Sequence, residues 1–235
     1  MYDRQSVQRA IQELKSGRPI LIFDSDEREA ETDLVCGSEF ITPEIIRTFR
    51  KDGGGLICTT VPPKLRNKLG LPYLSEIFYN NGHKENVLQE LIPNDIPYDE
   101  ISTFSITINH RKTFTGITDK DRALTITEFA RIIPKILDAS TEESFKLFGE
   151  KFRSPGHVHL LIASDNLLQK RFGHTELSTA LMVMVGLIGS ATICEMMGDD
   201  GNSLSKEGAK QYGEVHNIPF VKGSDIIEAW KAWSE

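Results

Sequence analysis

Apolar residues recur at Val7, Ala10, Ile11 and Leu14, the spacing of one helical face, and Gly17 with Pro19 closes that helix. The run Ile20–Phe23 then reads as a buried strand and Leu34-Val35-Cys36 as another, with a strongly polar stretch between them. Thr42-Pro43-Glu44 has the N-cap, first-position proline and first-turn acid of a helix start. That helix turns Ile45, Ile46 and Phe49 inward and stops at Gly53-Gly54-Gly55, before a strand over residues 56–61. Residues 62–98 are irregular, with prolines at 62, 63, 72, 93 and 97, and predict a short helix and a long connection. A strand over 104–108 follows. The turn 115–122 leads into an amphipathic helix carrying Ile126, Phe129, Ala130 and Ile133, and 134–151 predict a helical excursion. Arg153-Ser154-Pro155-Gly156 predicts a turn into a strand over 157–163. Arg171-Phe172-Gly173-His174-Thr175-Glu176 opens a helix whose Leu177, Ala180, Leu181, Met184 and Val185 face inward. Ala191-Thr192-Ile193-Cys194 is a further strand with Glu195 at its end. A helix near 205–216, a strand over 219–221 and a helix over 225–233 complete the chain.

Strands and helices alternate throughout. The expected class is α/β (α+β type): one three-layer domain over 1–235, with a mixed, twisted sheet flanked by helices. Of 235 residues, 39% are apolar and 26% charged, enough for a sizeable core. A net charge of −7 disfavours a general nucleic-acid binder, which would present a basic face. With no 18-residue apolar span and a polar start, the chain is expected to be unsecreted and cytoplasmic. The widely spaced Cys36, Cys58 and Cys194, an odd number without a C-x-x-C pair, fit a reducing compartment.

Charge changes the picture most at residues 24–33. Six carboxylates (Asp24, Asp26, Glu27, Glu29, Glu31, Asp33) and one arginine, Arg28, share ten positions. Such crowding fits a divalent cation or several bound protons, while a solvated hairpin tip is the ordinary alternative. If the stretch is extended, Glu27, Glu29, Glu31 and Asp33 point to one side. Residues 171–175 combine a basic residue, a glycine, a histidine and a hydroxyl at a helix N-terminus. That pattern suits an anion, a metal held by His174, or a plain capped turn. His157 and His159 share a strand face and read either as a zinc pair or as packed side chains. Glu195 reads as a half-buried acid/base or as an exposed strand end. The three glycines at 53–55 bring backbone close to another segment or a ligand, and a helix C-cap fits them better than a phosphate loop. Together these features suggest a metal-assisted enzyme acting on a small phosphorylated metabolite.

At this point the chain resembles a known family. Residues 24–33, Gly54-Gly55-Leu56-Ile57-Cys58, Thr115-Gly116-Ile117 with Asp121-Arg122-Ala123, Arg153-Ser154-Pro155-Gly156-His157-Val158, residues 171–176 and Ile193-Cys194-Glu195 stand in the order found in 3,4-dihydroxy-2-butanone 4-phosphate synthases. The acidic stretch and Gly173-His174-Thr175-Glu176 look closest to archaeal single-function members. The resemblance implies a homodimeric lyase of riboflavin biosynthesis. Its substrate would be D-ribulose 5-phosphate, with formate and L-3,4-dihydroxybutan-2-one 4-phosphate as products and Mg²⁺ or Mn²⁺, one ion or two, as cofactor. By motif position, Glu29 and His174 are the expected metal ligands. Arg28, Glu29, Asp33, Arg171, Phe172, Gly173, His174, Thr175 and Glu195 are expected at the substrate, with His157, Glu195, Asp33 and Glu31 in catalysis. Two positions depart from the family pattern: Ile162 stands where an arginine is common, and Thr32 where a glycine is common. The competing expectations are another phosphopentose isomerase or aldolase, and a nucleotide- or RNA-binding module.

Overall fold

The structure, a computed structural model, describes residues 3–80, 87–91, 93 and 95–234. In chain order it contains α1 (Arg4–Lys15), β1 (Ile20–Phe23), β2 (Thr32–Gly37), α2 (Pro43–Thr48), β3 (Cys58–Val61), α3 (Pro63–Leu69) and α4 (Leu74–Asn80). There follow β4 (Phe104–His110), α5 (Asp119–Asp138), α6 (Thr141–Lys151), β5 (Phe152–Ile162), α7 (His174–Val185), β6 (Ala191–Glu195), α8 (Lys206–His216), β7 (Phe220–Lys222) and α9 (Gly223–Ser234). The strands form a seven-stranded sheet in the order β4-β5-β3-β6-β2-β1-β7. The pairs β3–β5 and β1–β7 are parallel and the others antiparallel, so the sheet is mixed as expected.

Alternation along the strands sends side chains into two cores. Leu21, Leu34, Val61 and Ile162 face α2, α3, α5, α6 and α8. Ile20, Ile22, Val35, Leu161 and Ile193 face α1, α7 and α9. These are the three expected layers. Helix α7 packs on β1, β2, β3 and β6 and is flanked by α1 and α9, which also reach the sheet, and every residue from His174 to Met182 is buried. Capping follows the sequence: Thr42 accepts from the Ile45 N–H, Thr118 from that of Asp121, and Ser140 with Glu143 forms a capping box at α6.

Three expectations change. Strand β3 begins at Cys58, because the Leu56 N–H leaves the ladder to donate to the Glu195 carboxylate at 2.7 Å. Residues 153–156 form no separate turn. They lie within β5, whose residues 154–157 bulge between the pairs Val158↔Ile108 and Arg153↔Asn109. The 134–151 excursion is the end of α5, which continues through Pro134, followed by α6. The long connection contains α4 and a short turn at Val87–Gln89, while 81–86, 92 and 94 lie outside the described residues.

The β5 bulge depends on Gly156. A Cβ there would sit 2.0 Å from the Ile108 carbonyl carbon and 2.3 Å from the Asn109 nitrogen, which are backbone atoms that cannot swing aside. Gly156→Ala is therefore expected to lower unfolding stability by about 3 kcal/mol or more, read by urea denaturation. A change within about 0.5 kcal/mol would show that the bulge adapts to a side chain.

Candidate active site

The polar centre lies at one end of the sheet, where β1, β2 and β6 meet the N-terminus of α7. Asp24 directly follows β1 and is 4% exposed. Its Oδ2 accepts the Glu29 N–H at 3.0 Å and its Oδ1 the Glu31 N–H at 3.1 Å. The loop therefore curls around Asp24: residues 26–29 form a turn and Ala30 adopts a φ of 55°. The extended reading of this stretch is thus corrected. Glu27 is exposed, and Asp26 reaches outward to Lys206 at 2.8 Å. Arg28, Glu29 and Glu31 turn inward instead.

His174, at the first position of α7, is held at both ring nitrogens. Nδ1 lies 3.2 Å from Glu29 Oε2, while Nε2 lies 3.2 Å from the Ile22 carbonyl oxygen and 3.6 Å from Asp33 Oδ1. Each nitrogen faces acceptors only, so both donate and the ring carries a positive charge. Burial opposes that charge, but the carboxylates of Asp33, Glu29 and Asp24 outweigh it and push His174 up to about 10. For Glu29, burial works against ionisation, yet the hydrogen bond and charge of His174 with Arg28 hold it below its usual range. Asp24, Glu29 and His174 each offer a ligand atom within 4.8 Å of one another.

On the adjoining strands Asp33 pairs with Glu195 across β2 and β6. Burial raises the Asp33 carboxyl well above its normal value, and Glu195, Glu29 and Glu31 add to the rise. Its Oδ1 is buried without a hydrogen-bond partner. Burial also raises Glu31, with Glu29 and Glu195 contributing. Glu195 is half-buried rather than a free strand end, fixed by the Leu56 N–H. The glycine run makes this approach possible: a Cβ on Gly55 would lie 2.4 Å from Glu195 Oε2, while Gly54 caps the preceding turn with a φ of 86°.

His157 makes its contacts elsewhere. Its N–H donates to Asn109 Oδ1 at 2.8 Å, and Nδ1 lies 3.2 Å from Asn109 Nδ2. Among the described residues no hydrogen bond or ion pair joins it to the carboxylates. The zinc-pair reading of His157 and His159 is not supported. His159 stacks edge-on against Phe104, and the candidate metal group among the described residues is the one at His174.

Arg28 and Arg171 form the third part of the site. Arg171 donates from Nε to Asp99 Oδ2 at 2.5 Å and pairs with the fully buried Glu176. Arg28 donates from Nη2 to the same Asp99 oxygen at 2.6 Å, and its Nη1 lies 3.2 Å from Glu29 Oε1. Its guanidinium stands 5.4 Å from the centre of the Tyr98 ring. Gly173 lets both arginines cross the helix start, since a Cβ there would meet Arg171 Nη1 at 2.4 Å and Arg28 Nη2 at 2.9 Å. Thr175 is buried with its hydroxyl 3.4 Å from that of Thr103, and Phe172 is exposed at the rim.

Sequence reasoning missed three participants. Asp24 lay within the acidic run but was put on the wrong side by the extended reading. Asp99 sits in the aperiodic connection, where no spacing marked it. Glu176 belonged to a noted motif, yet its pairing with Arg171 needs the helix turn to be seen.

The fold and site define an α/β enzyme whose centre combines clustered carboxylates, a charged histidine and paired arginines. The family model for 3,4-dihydroxy-2-butanone 4-phosphate synthase matches residues 8–229, and the chain belongs to that family. It is 50% identical over 225 residues to the 3,4-dihydroxy-2-butanone 4-phosphate synthase of Methanothermobacter thermautotrophicus, covering 95% of each chain. It is 42% identical to the enzyme of the same name from Methanosarcina mazei, covering 99% of this chain and 94% of that one. A solved 3,4-dihydroxy-2-butanone 4-phosphate synthase in complex with two magnesium ions shares the fold, with a TM-score of 0.72 at 24% identity and 95% of each chain covered.

The charged His174 sets a pH dependence for the metal-free protein. A histidine raised in the fold stabilises it fully below its unfolded value near 6.5, and that contribution is lost as pH rises through about 10. Urea denaturation in EDTA should show stability falling between pH 6.5 and 10, and His174→Gln should flatten the fall. An unchanged slope in the variant would remove His174 as its source.

Proposed function

We propose that this chain converts D-ribulose 5-phosphate to L-3,4-dihydroxybutan-2-one 4-phosphate and formate in riboflavin biosynthesis, as one domain. The observation that carries this reading is the meeting of the acid loop, His174 and the Arg28/Arg171 pair at one sheet end, in a chain half identical to a synthase of that name.

The donor set fits a divalent ion. Nε2–H of His174 is retained on the Ile22 carbonyl, so loss of the other proton frees Nδ1 beside Glu29 for a metal. Glu29 and His174 would hold the ion, with Asp24 as the adjacent donor, and Mg²⁺ or Mn²⁺ suits this oxygen-rich set. When bound, such an ion polarises the substrate carbonyl and stabilises developing negative charge.

The remaining work falls to side chains. Arg28 and Arg171, with the backbone of residues 172–175, bind the phosphate. Asp33 or Glu31, whose proton affinities are raised by burial, takes the proton beside the carbonyl. Glu195 and His157 serve the later dehydration, rearrangement and formate release.

The reading extends to assembly and location. Leu56, Phe114, Ile117 and Met197 are exposed apolar side chains at the same sheet end, and we assign this face to a homodimer. Phe114 is 93% exposed, an unusual position for a large apolar ring. Three buried free cysteines suit a reducing cytoplasm.

Formate should be released from D-ribulose 5-phosphate with Mg²⁺ present and not in EDTA. Glu195→Gln should retain substrate binding and lose roughly a hundredfold or more in turnover. Substrate loss without formate would instead indicate an isomerase or aldolase. Sedimentation equilibrium should show a dimer whose dissociation constant rises roughly tenfold or more in Phe114→Glu. A monomeric parent, or an unaffected dimer, would move the interface elsewhere.

A further inference from the structure

The two arginines proposed to take the substrate phosphate are not free in this structure. One oxygen of Asp99 accepts from both, at 2.6 Å from Arg28 Nη2 and 2.5 Å from Arg171 Nε. A carboxylate that bridges two guanidiniums makes the contacts a phosphate oxygen would make there. We propose that Asp99 is a resident counter-anion and a specificity-determining residue. Its carboxylate fills the bridging position between Arg28 and Arg171, and a ligand must displace it to bind. This rests on the assignment of these arginines to the phosphate.

Two observations favour displacement over a fixed scaffold role. The arginines have other anchors: Arg171 pairs with Glu176, which is fully buried and also accepts the Ser164 N–H. Arg28 stays beside Asp24 and Glu29. Both guanidiniums keep their orientation if Asp99 leaves. Asp99, by contrast, rides on a surface strap. Pro97, Tyr98, Glu100 and Ile101 are all exposed, and Asp99 alone of residues 97–101 turns inward, its side chain 12% accessible.

Displacement selects for charge. A neutral sugar offers nothing to replace two charge-assisted hydrogen bonds, so it meets arginines already neutralised. A phosphate dianion replaces both bonds and brings more charge than the carboxylate that departs. The resident carboxylate thus weakens every ligand but penalises unphosphorylated ones most.

The test is calorimetric titration of inorganic phosphate into the Mg²⁺-loaded protein. Asp99→Asn should bind phosphate roughly tenfold or more tightly than the parent. It should also lower KM for D-ribulose 5-phosphate and narrow the preference for the phosphorylated over the unphosphorylated sugar. Adding Arg171→Gln to Asp99→Asn should abolish the gain. Unchanged or weaker phosphate binding in Asp99→Asn would overturn the proposal, giving Asp99 a positioning role only. If Arg171→Gln alone leaves phosphate binding intact, the phosphate assignment itself fails. Should Asp99→Asn not fold, the parent protein still decides. Phosphate should speed amide hydrogen exchange at residues 98–101 as the strap loses its anchor, and slower or unchanged exchange would overturn the idea.

Discussion

The site is built around a buried carboxylate that has to be satisfied. Asp24 stands at the end of an apolar strand, out of water, where an unpaired charge would be costly. The donors it finds are the N–H groups of Glu29 and Glu31, five and seven residues ahead. Accepting both forces the chain to curl, and the curl turns Arg28, Glu29 and Glu31 inward while Asp26 and Glu27 stay in solvent. Without that anchor, six acids in ten residues would repel one another into an open loop. The hydrogen bonds convert a repulsive sequence into an ordered one.

A second constraint follows from the first. With Glu29, Glu31, Asp33 and Glu195 gathered together, the fold needs positive charge nearby. It comes from the N-terminal end of α7. His174 is held between Glu29 and the Ile22 carbonyl, and Arg171 crosses the helix start above the fully buried Glu176. The free N–H groups of that helix end add to the positive field. Asp33 is the exception. It keeps one buried oxygen without a hydrogen bond and its affinity for a proton is raised, the state expected of a group that exchanges protons rather than one that secures the fold. Groups carried by strands and by α7 are thus fixed, whereas Arg28, Glu29, Glu31 and Asp99 ride on connections.

The alternation of strands and helices, the sheet-end position of the acids and the helix start at His174 were legible because each has a local cause. Apolar spacing and capping residues write them directly into the sequence. The curl at Asp24 was not, because a period-of-two reading presumes an extended chain, and only the burial of Asp24 shows that it is not extended. Asp99 was illegible for another reason. It acts 71 positions from Arg28 and 72 from Arg171, and nothing local marks a carboxylate in a proline-rich connection as their partner. The β5 bulge was half legible: Pro155-Gly156 signalled an irregularity but not that the strand continues through it. Strand parity made the His157/His159 pair a candidate and the end of an apolar strand made Glu195 one, while the structure places His157 on Asn109 and Glu195 on the Leu56 N–H.

The same parity explains a departure from the family pattern. By the resemblance, an arginine was expected at Ile162. In β5, however, Leu161 packs toward α7 with the site layer, and Ile162 lies fully buried in the opposite core among α2, α3 and α5. A side chain at this position on this backbone leaves the strand away from the carboxylates. An arginine there would need its own polar exit through a layer that here is filled by Ile46, Leu65, Ile126 and Ile133. Ile162 therefore belongs to core packing in this chain, while the clustered acids, arginines and His174 stand at the strand ends, on the connections and at the start of α7.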